Sequence, residues 1–341
     1  MAIHILLLYN NYTSIFFYAI EVYKQLLKYK VFEVHLKHIK SIQINNLSLY
    51  NAIIPLDVKS CIFYHSMKLS PFHMSDTSIF NRLNDKSSCY HIIKKYSTIN
   101  HIPTLDVFTL QSISKFVDKH PSEKYIIKNT TGYGSFFQNI VSHSKLLKID
   151  VNKLKNCIVQ PCFKNYKVYS IDIISKNGII YGELLKKVDN TDGIKFIDFL
   201  IASIDCTVED SGFIYDAVKN FTKNIIKDVN YSGMCEIEFI VTDDNSIYFL
   251  EINPRISGHV CQLNKYNQNA YFNNIIIPYL SFFNINIHKN KMLSNRYTGS
   301  SLRHVLFGLY SIYPKTFITI IVVDIFILFI VFKKLYNLYR R

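Results

Sequence analysis

The segment EIEFIVTDDNSIYFLEINPRISG, residues 236–258, predicts two apolar strands that carry acidic side chains. The strands are joined by TDDN, whose Asp and Asn residues favour turns. Side chains two apart on a strand share a face, so Glu236 lies beside Glu238, and Glu251 beside Asn253. If Glu238 pairs across the hairpin with the region of Glu251, two carboxylates and an amide oxygen converge.

Such a group of oxygen atoms is typical of a site for magnesium or manganese. Both ions prefer oxygen ligands, usually retain water and bridge to substrate phosphates. Glu238, Glu251 and Asn253 would supply the ligands, and Arg255 places a planar set of donors beside them. The alternative is that the acids lie on a solvated strand face, because exposed glutamates are common.

The run E-I-N-P-R in this setting resembles the metal-binding signature of the ATP-grasp superfamily, which includes carbamoyl phosphate synthetase, biotin carboxylase and D-alanine:D-alanine ligase. In that family an acid or Gln precedes Phe on one strand, and E-x-N-P-R follows on the next. The resemblance implies that Glu238, Glu251 and Asn253 bind magnesium or manganese. It also implies that Arg255 is a catalytic residue that contacts phosphate or the acyl-phosphate intermediate.

The resemblance extends to residues that would hold ATP. Lys86 in NDKSS and Lys128 in YIIKNTTGYGS fit the two basic positions of the family, and Lys128 would also be catalytic. In the loop after Lys128, backbone N–H groups at Gly132 and Gly134 and the hydroxyl of Ser135 could close over phosphates. Glycine turns of this kind also join strands without any such function.

The segment NCIVQPCFKNYKVYSIDII resembles the hinge at which this family holds adenine through backbone groups and one polar side chain. The resemblance implies that Gln160, Pro161 and Cys162 contact the base.

Two positions near the hinge depart from the family pattern. Val168 stands where a Glu is common, and Lys186 or Lys187 stands where many members have an Arg. The two lysines also fit a solvated strand end, because charged strand ends are ordinary. The departures bear on substrate handling and turnover.

The rest of the chain predicts an α/β fold of the α+β ATP-grasp type. Its opening reads β-α-β, and no glycine-rich fingerprint follows the first strand, which argues against a dinucleotide site there. We expect a small parallel N-terminal α/β domain, then a two-lobed ATP-grasp domain, then a C-terminal hydrophobic segment. The predicted ranges are 1–84 for the N-terminal domain, 85–123 for linker helices, 124–188 for the lid, 189–300 for the core with the metal site, and 301–341 for the tail.

Composition adds few functional constraints. The chain has 341 residues, 49% of them hydrophobic, and a formal net charge of +14. The basic residues are dispersed, so no specific nucleic-acid partner is expected, although a nucleic-acid binder stays the lowest-ranked alternative. Seven cysteines at irregular spacing, without C-x-x-C, indicate neither a zinc site nor a disulfide framework.

The C-terminus predicts membrane association. Residues 317–332, FITIIVVDIFILFIVF, hold fourteen apolar residues, one Thr and one Asp. Each apolar residue contributes about −0.3 to −0.6 kcal/mol to the free energy of membrane insertion. Together these contributions outweigh the cost of inserting Asp324, about 3 kcal/mol. We therefore expect a membrane segment at 316–336 with the ATP-binding domain facing the cytosol; a buried helix or strand in a cytoplasmic protein is the alternative.

Together these features predict an ATP- and magnesium-dependent ligase. It would activate a small-molecule carboxylate as an acyl phosphate for attack by an amine or similar nucleophile, forming a carbon–nitrogen bond. The alternatives are a small-molecule kinase on the same fold and a catalytically weak, membrane-associated ATP-binding protein.

Overall fold

The computed structural model describes residues 2–10, 20–27, 29, 31–67, 75, 77–131, 138–188, 206–257, 269–285 and 287. These residues belong to one compact unit, Met1–Lys291. The tail predicted for residues 301–341, with its membrane segment at 316–336, lies outside the described residues. Within the described part of the chain, no helix combines the length and the apolar character needed to cross a membrane.

The described strands follow the chain in this order: β1 Ile3–Tyr9, β2 Phe32–His38, β3 Ala52–Pro55, β4 Asn100–His101, β5 Lys124–Asn129, β6 Gln138–Ser142, β7 Cys157–Pro161, β8 Tyr166–Lys176, β9 Ile179–Val188, β10 Cys206–Glu209, β11 Gly233–Thr242 and β12 Ile247–Asn253.

The described helices are α1 Ile20–Leu27, α2 Val58–Ser66, α3 Thr77–Asn84, α4 Lys86–Ile93, α5 Leu110–Lys119, α6 His143–Leu146, α7 Phe213–Asp228 and α8 Ile277–Ser281. Short 3-10 helices span Ile39–Ser41, Ile44–Leu49 and Val151–Leu154, and a π-helix, Phe272–Ile276, runs directly into α8.

The amino-terminal sheet is parallel and has the order β2-β1-β3. Strand β1 lies in its centre, and Leu6, Leu7 and Leu8 are fully buried there. Because a central parallel strand is covered on both faces, it reads as a continuous apolar run rather than an alternation. Helix α1 connects β1 to β2, which confirms the predicted β-α-β opening.

The central sheet has six strands in the order β10-β9-β8-β11-β12-β4. Its strands pair antiparallel except that β12 and β4 are parallel. Helix α7 covers one face of this sheet. Its Phe221 ring packs against Phe239 and Phe249, with a distance of 5.8 Å between ring centroids in each pair. The β11–β12 hairpin therefore lies inside a packed sheet rather than at the surface.

The hairpin turn forms as the sequence predicts. The Asp244 carboxylate accepts hydrogen bonds from the Thr242 hydroxyl at 2.5 Å and from the Ser246 N–H at 3.2 Å. Asn245 has a φ of 62°, a left-handed conformation that Asn tolerates better than most residues. These local bonds fix the pairing of β11 and β12 next to the turn, from Val241 and Ile247 to Phe239 and Phe249.

The small sheet has the order β6-β5-β7 and is antiparallel. Helix α5 packs on it through Ile113, Phe116 and Val117, which join a separate hydrophobic core with Tyr125. The predicted lid range, 124–188, covers strands of two sheets, because β8 and β9 pair within the central sheet. The domain boundaries themselves stay predictions.

Gly182 on β9 allows the π-helix to pack closely on the central sheet. A Cβ atom at this position would lie 1.8 Å from the Asn274 carbonyl oxygen and 2.9 Å from Ile174 Cγ2. We expect Gly182→Ala to lower the free energy of unfolding by about 3 kcal/mol, because backbone must shift to admit the methyl group. Urea denaturation measures this change. A value within about 0.5 kcal/mol of the natural chain would contradict the close packing.

Candidate functional site

The central hairpin brings the three predicted metal ligands together. Glu238 lies directly opposite Glu251, and Glu236 opposite Asn253, with a β-bulge after Glu238. The Asn253 Nδ2 donates to Glu238 Oε1 at 2.8 Å and to Glu251 Oε1 at 3.4 Å. The two carboxylates and the amide thus share one site at the end of β12.

Electrostatics at this site favour a bound cation. Burial raises the pKa of Glu238 well above its usual value, and the negative charges of Glu251 and Glu236 raise it further. Burial also raises the pKa of Glu251, but Lys86 and Lys128 outweigh that effect and the net shift is downward. Two facing carboxylates therefore repel each other unless a positive charge lies between or beside them.

Lys86 reaches the site from the start of α4. Its Nζ lies 3.4 Å from Glu251 Oε2. The Asp85 side chain caps the helix by accepting from the Ser88 N–H at 2.8 Å, and the Lys86 N–H donates to the Thr130 carbonyl at 2.7 Å. The helix start is thereby anchored to the residues that follow β5, which holds Lys86 beside the hairpin.

Lys128 approaches the same acids from β5 of the small sheet. Its side chain is buried, and burial lowers the pKa of Lys128, while Glu251 opposes this shift. Two lysines from separate elements thus act on one carboxylate of the hairpin.

The predicted hinge residues lie on and just after β7. Gln160 Nε2 donates to Thr104 Oγ1 at 2.9 Å, and its buried Oε1 has no hydrogen-bond partner among the described residues. Pro161 pairs with Tyr125 in the small sheet, and the Cys162 N–H donates to the Lys124 carbonyl at 3.0 Å. Because an unpaired buried acceptor is costly, Gln160 Oε1 is suited to accept from an N–H of a bound molecule.

Arg255 is buried beside the hairpin and is fixed by two acceptors. Its Nη1 donates to the Ile256 carbonyl at 2.8 Å and to Glu236 Oε2 at 3.4 Å. Its positive charge also acts on Glu238, whose pKa it lowers against the effect of burial. Arg255 therefore belongs to the site, although its predicted contact with phosphate stays a prediction.

The structure reveals a buried ionic network that sequence reasoning missed. Lys186 is fully buried and forms an ion pair with Asp172. Its Nζ lies 3.7 Å from Glu236 Oε1 and donates to Ser257 Oγ at 2.7 Å. The alternative of a solvated strand end is therefore wrong for Lys186, which is fully buried.

Glu236 is the centre of this network. Its Oε1 accepts from the Ser257 hydroxyl at 2.5 Å, and its Oε2 faces the guanidinium of Arg255. Two buried acids, Asp172 and Glu236, are thus matched by two buried cations, Lys186 and Arg255. Such balance is what a buried charge requires.

A sequence signal for this network does exist. Asp172, Lys186 and Glu236 each lie next to buried apolar residues of β8, β9 or β11, although β9 also carries Glu183 and Lys187 and β11 also carries Glu238. A charged residue within a buried strand needs a charged partner, so these residues could have been matched to one another. The predicted phosphate-loop residues Gly132, Gly134 and Ser135 lie outside the described residues.

Comparison with known proteins agrees with this geometry. The family model of the ATP-grasp domain matches residues 83–259, just over half of the chain. A search of curated proteins by sequence found no match.

Several solved structures share the fold. D-alanyl-alanine synthetase A from Vibrio cholerae is 13% identical, with a TM-score of 0.59 and coverage of 83% of this chain and 99% of that chain. The biotin carboxylase domain of Hydrogenobacter thermophilus 2-oxoglutarate carboxylase is 12% identical, with a TM-score of 0.54 and coverage of 83% and 70%. L-amino acid ligase from Bacillus licheniformis is 11% identical, with a TM-score of 0.53 and coverage of 76% and 68%.

At such low sequence identity, these similarities show only that the fold is shared. The family match covers α4, the small sheet and the hairpin that carries the three predicted metal ligands. This agrees with the resemblance seen in the E-I-N-P-R run, and the mixed α/β architecture fits it. The chain belongs to the ATP-grasp family.

Proposed function

We propose that the protein is an ATP- and magnesium-dependent ligase. It activates a small-molecule carboxylate as an acyl phosphate, which an amine or similar nucleophile then attacks to form a carbon–nitrogen bond. The observation that carries this proposal is the convergence of Glu238, Glu251 and Asn253 with Lys86 and Lys128.

The donor set fits magnesium. Two carboxylates and an amide side chain meet at one end of the hairpin, and oxygen ligands of this kind suit a hard divalent cation. Asn253 faces the acids through Nδ2, and rotation of its amide would present Oδ1 instead, because the two ends of an amide are nearly the same shape. When bound, the metal neutralises charge on the transferring phosphoryl group.

The chain's own residues then have separate tasks. Lys86 and Lys128 supply positive charge on the side of Glu251, where the phosphates of ATP would lie. Gln160 offers its unpaired Oε1 to the amino group of adenine, while Thr104 fixes the orientation of its amide. Arg255, held by Glu236, supplies a guanidinium beside the metal ligands.

The names and contents of the related structures support this proposal. The biotin carboxylase domain was solved with magnesium ADP and bicarbonate. Two other related structures are of a D-alanyl-alanine synthetase and an L-amino acid ligase. The acid and the amine that this chain uses are decided by residues outside the shared site.

Hydroxylamine provides a test that does not require the natural amine. We would incubate the full chain with magnesium, ATP, hydroxylamine and a panel of carboxylic acids, and measure ADP and hydroxamate together. The proposal predicts that one class of acid yields hydroxamate and ADP in equal amounts, and that both need magnesium. ADP formation that depends on an alcohol, without hydroxamate from any acid, would instead indicate a kinase.

Lys128→Met tests the role of the small sheet in nucleotide binding. We expect the affinity for magnesium ATP to fall by about tenfold or more, about 1.4 kcal/mol, because a buried point charge near the phosphates is lost. Isothermal titration calorimetry measures the change. Lys124→Met is the matched control, since Lys124 is exposed on the same strand and should leave the affinity unchanged. Equal loss in both variants would contradict the assignment.

A further inference from the structure

The amino-terminal sheet carries a cluster of side chains that the proposed function does not use. His4 on β1 lies opposite Glu33 on β2 in the parallel register. His35 shares a face of β2 with Glu33, because side chains two apart on a strand point the same way. Two imidazoles and a carboxylate therefore meet on one face, at the edge of the sheet formed by β2.

Two of the distances within this cluster match the geometry of a zinc site. His4 Nδ1 lies 3.3 Å from His35 Nε2 and 3.3 Å from Glu33 Oε2, and the three ligand atoms all lie within 4.8 Å of one another. Zinc binds nitrogen and oxygen at about 2.0–2.2 Å in a tetrahedron, which separates neighbouring ligand atoms by about 3.3–3.5 Å. The two distances from His4 Nδ1, to His35 Nε2 and to Glu33 Oε2, already have this length.

The surroundings keep the rings in place and suited to bind a metal. The His4 and His35 rings stack with centroids 5.6 Å apart, and the Tyr50 ring meets His35 edge-on at 5.3 Å. Zinc binds an imidazole through the lone pair of an unprotonated ring nitrogen.

The cluster is accessible and lies apart from the nucleotide site. The side chains of His4 and Glu33 are 40% and 57% exposed, which leaves room for a further ligand from solvent. His4 is near the start of β1. Helix α2 follows the carboxyl end of β3 and contains Cys61. The positive charge of Arg255 lowers the pKa of Cys61, which places Arg255 near that other end of the sheet. The two sites therefore lie towards opposite ends of the amino-terminal sheet.

We propose that His4, Glu33 and His35 form a zinc site in which three protein ligands leave a fourth position for water or an external ligand. Zinc bound there links the edge strand β2 to the central strand β1. Without metal, the same contacts amount to a hydrogen bond between two rings and a partly exposed ion pair, which contributes little.

Calorimetric titration of the full, tag-free chain with zinc chloride tests the proposal. We expect one zinc ion per chain at this cluster, binding there that magnesium does not compete for, and a higher melting temperature in the presence of zinc. Glu33→Gln should weaken zinc binding by about tenfold or more, and the exposed position of Glu33 lets this variant fold. His35→Ala should abolish it.

His143→Ala is the matched control, because His143 is an exposed histidine on α6 away from the cluster. It should bind zinc as the natural chain does. Absence of zinc binding by the folded natural chain would overturn the proposal. So would binding of unchanged affinity and stoichiometry in Glu33→Gln and His35→Ala, since the metal would then use other ligands, such as cysteines.

Discussion

Glu251→Gln is expected to reduce magnesium-dependent ATP turnover by about two to three orders of magnitude. The substitution keeps the size of the side chain but removes the negative charge that faces Lys86 and lies beside Asn253. A metal ion would then lose a ligand, and the two lysines would lose the charge that holds them near the site. Initial rates of ADP formation, with the acid identified by the hydroxamate assay, measure the effect.

Asp243→Asn is the matched control for this experiment. Asp243 lies in the turn of the same hairpin and is exposed, so its charge has no part in the site. Its variant should turn over ATP at the natural rate. If Glu251→Gln retained more than about a third of the activity, Glu251 would not be a metal ligand during turnover.

Lys186→Met is expected to have the largest effect on stability, a loss of about 3–5 kcal/mol in the free energy of unfolding. Lys186 is fully buried between Asp172 and Glu236, and its removal leaves two buried acids with the single charge of Arg255. Urea denaturation followed by circular dichroism measures the loss. Lys187→Met, the same change on the other face of β9, serves as the control and should cost much less.

A second substitution distinguishes charge imbalance from lost packing. Adding Asp172→Asn to Lys186→Met removes one acid together with its cation, and leaves Glu236 paired with Arg255. We expect the double variant to recover part of the lost stability, because the remaining buried charges balance again. A double variant less stable than Lys186→Met alone would contradict the ionic network as the cause.

The sequence predicted the features that depend on local pattern. The hairpin of residues 236–253 was predictable because apolar alternation and the TDDN turn specify strands and register. The register set by the turn would place Glu238 opposite Leu250, and the β-bulge after Glu238 shifts it opposite Glu251, so this exact pairing needed the structure. The β-α-β opening was likewise predictable from the spacing of apolar residues, since helix and strand periods differ.

Features that depend on distant contacts were not predictable in the same way. Lys186, Asp172 and Glu236 come from three strands, and only the strand order β9-β8-β11 brings them together. The order also assigns β8 and β9 to the central sheet, which a linear reading of residues 124–188 as one lid does not reveal. Gly182 gives no sequence sign that Asn274 packs against it.

The ionic network gives Arg255 a defined position. Glu236 binds Arg255 through one oxygen and Ser257 through the other, while Ser257 also accepts from Lys186. The chain of contacts links β9 to the residues that follow β12. The network therefore holds Asn253 and Arg255 at the end of the hairpin, since Glu236 accepts hydrogen bonds from both.

Magnesium-dependent nucleotide binding is the measurement that tests the central claim most directly. A non-hydrolysable ATP analogue would be titrated calorimetrically into the full natural chain, Glu251→Gln, Asn253→Ala and Asp243→Asn, with magnesium and with a chelator. The account predicts binding that requires magnesium, persists in Asp243→Asn and is lost in the other two variants. A folded natural chain that binds no nucleotide, or that binds it equally without magnesium and in all three variants, would contradict it.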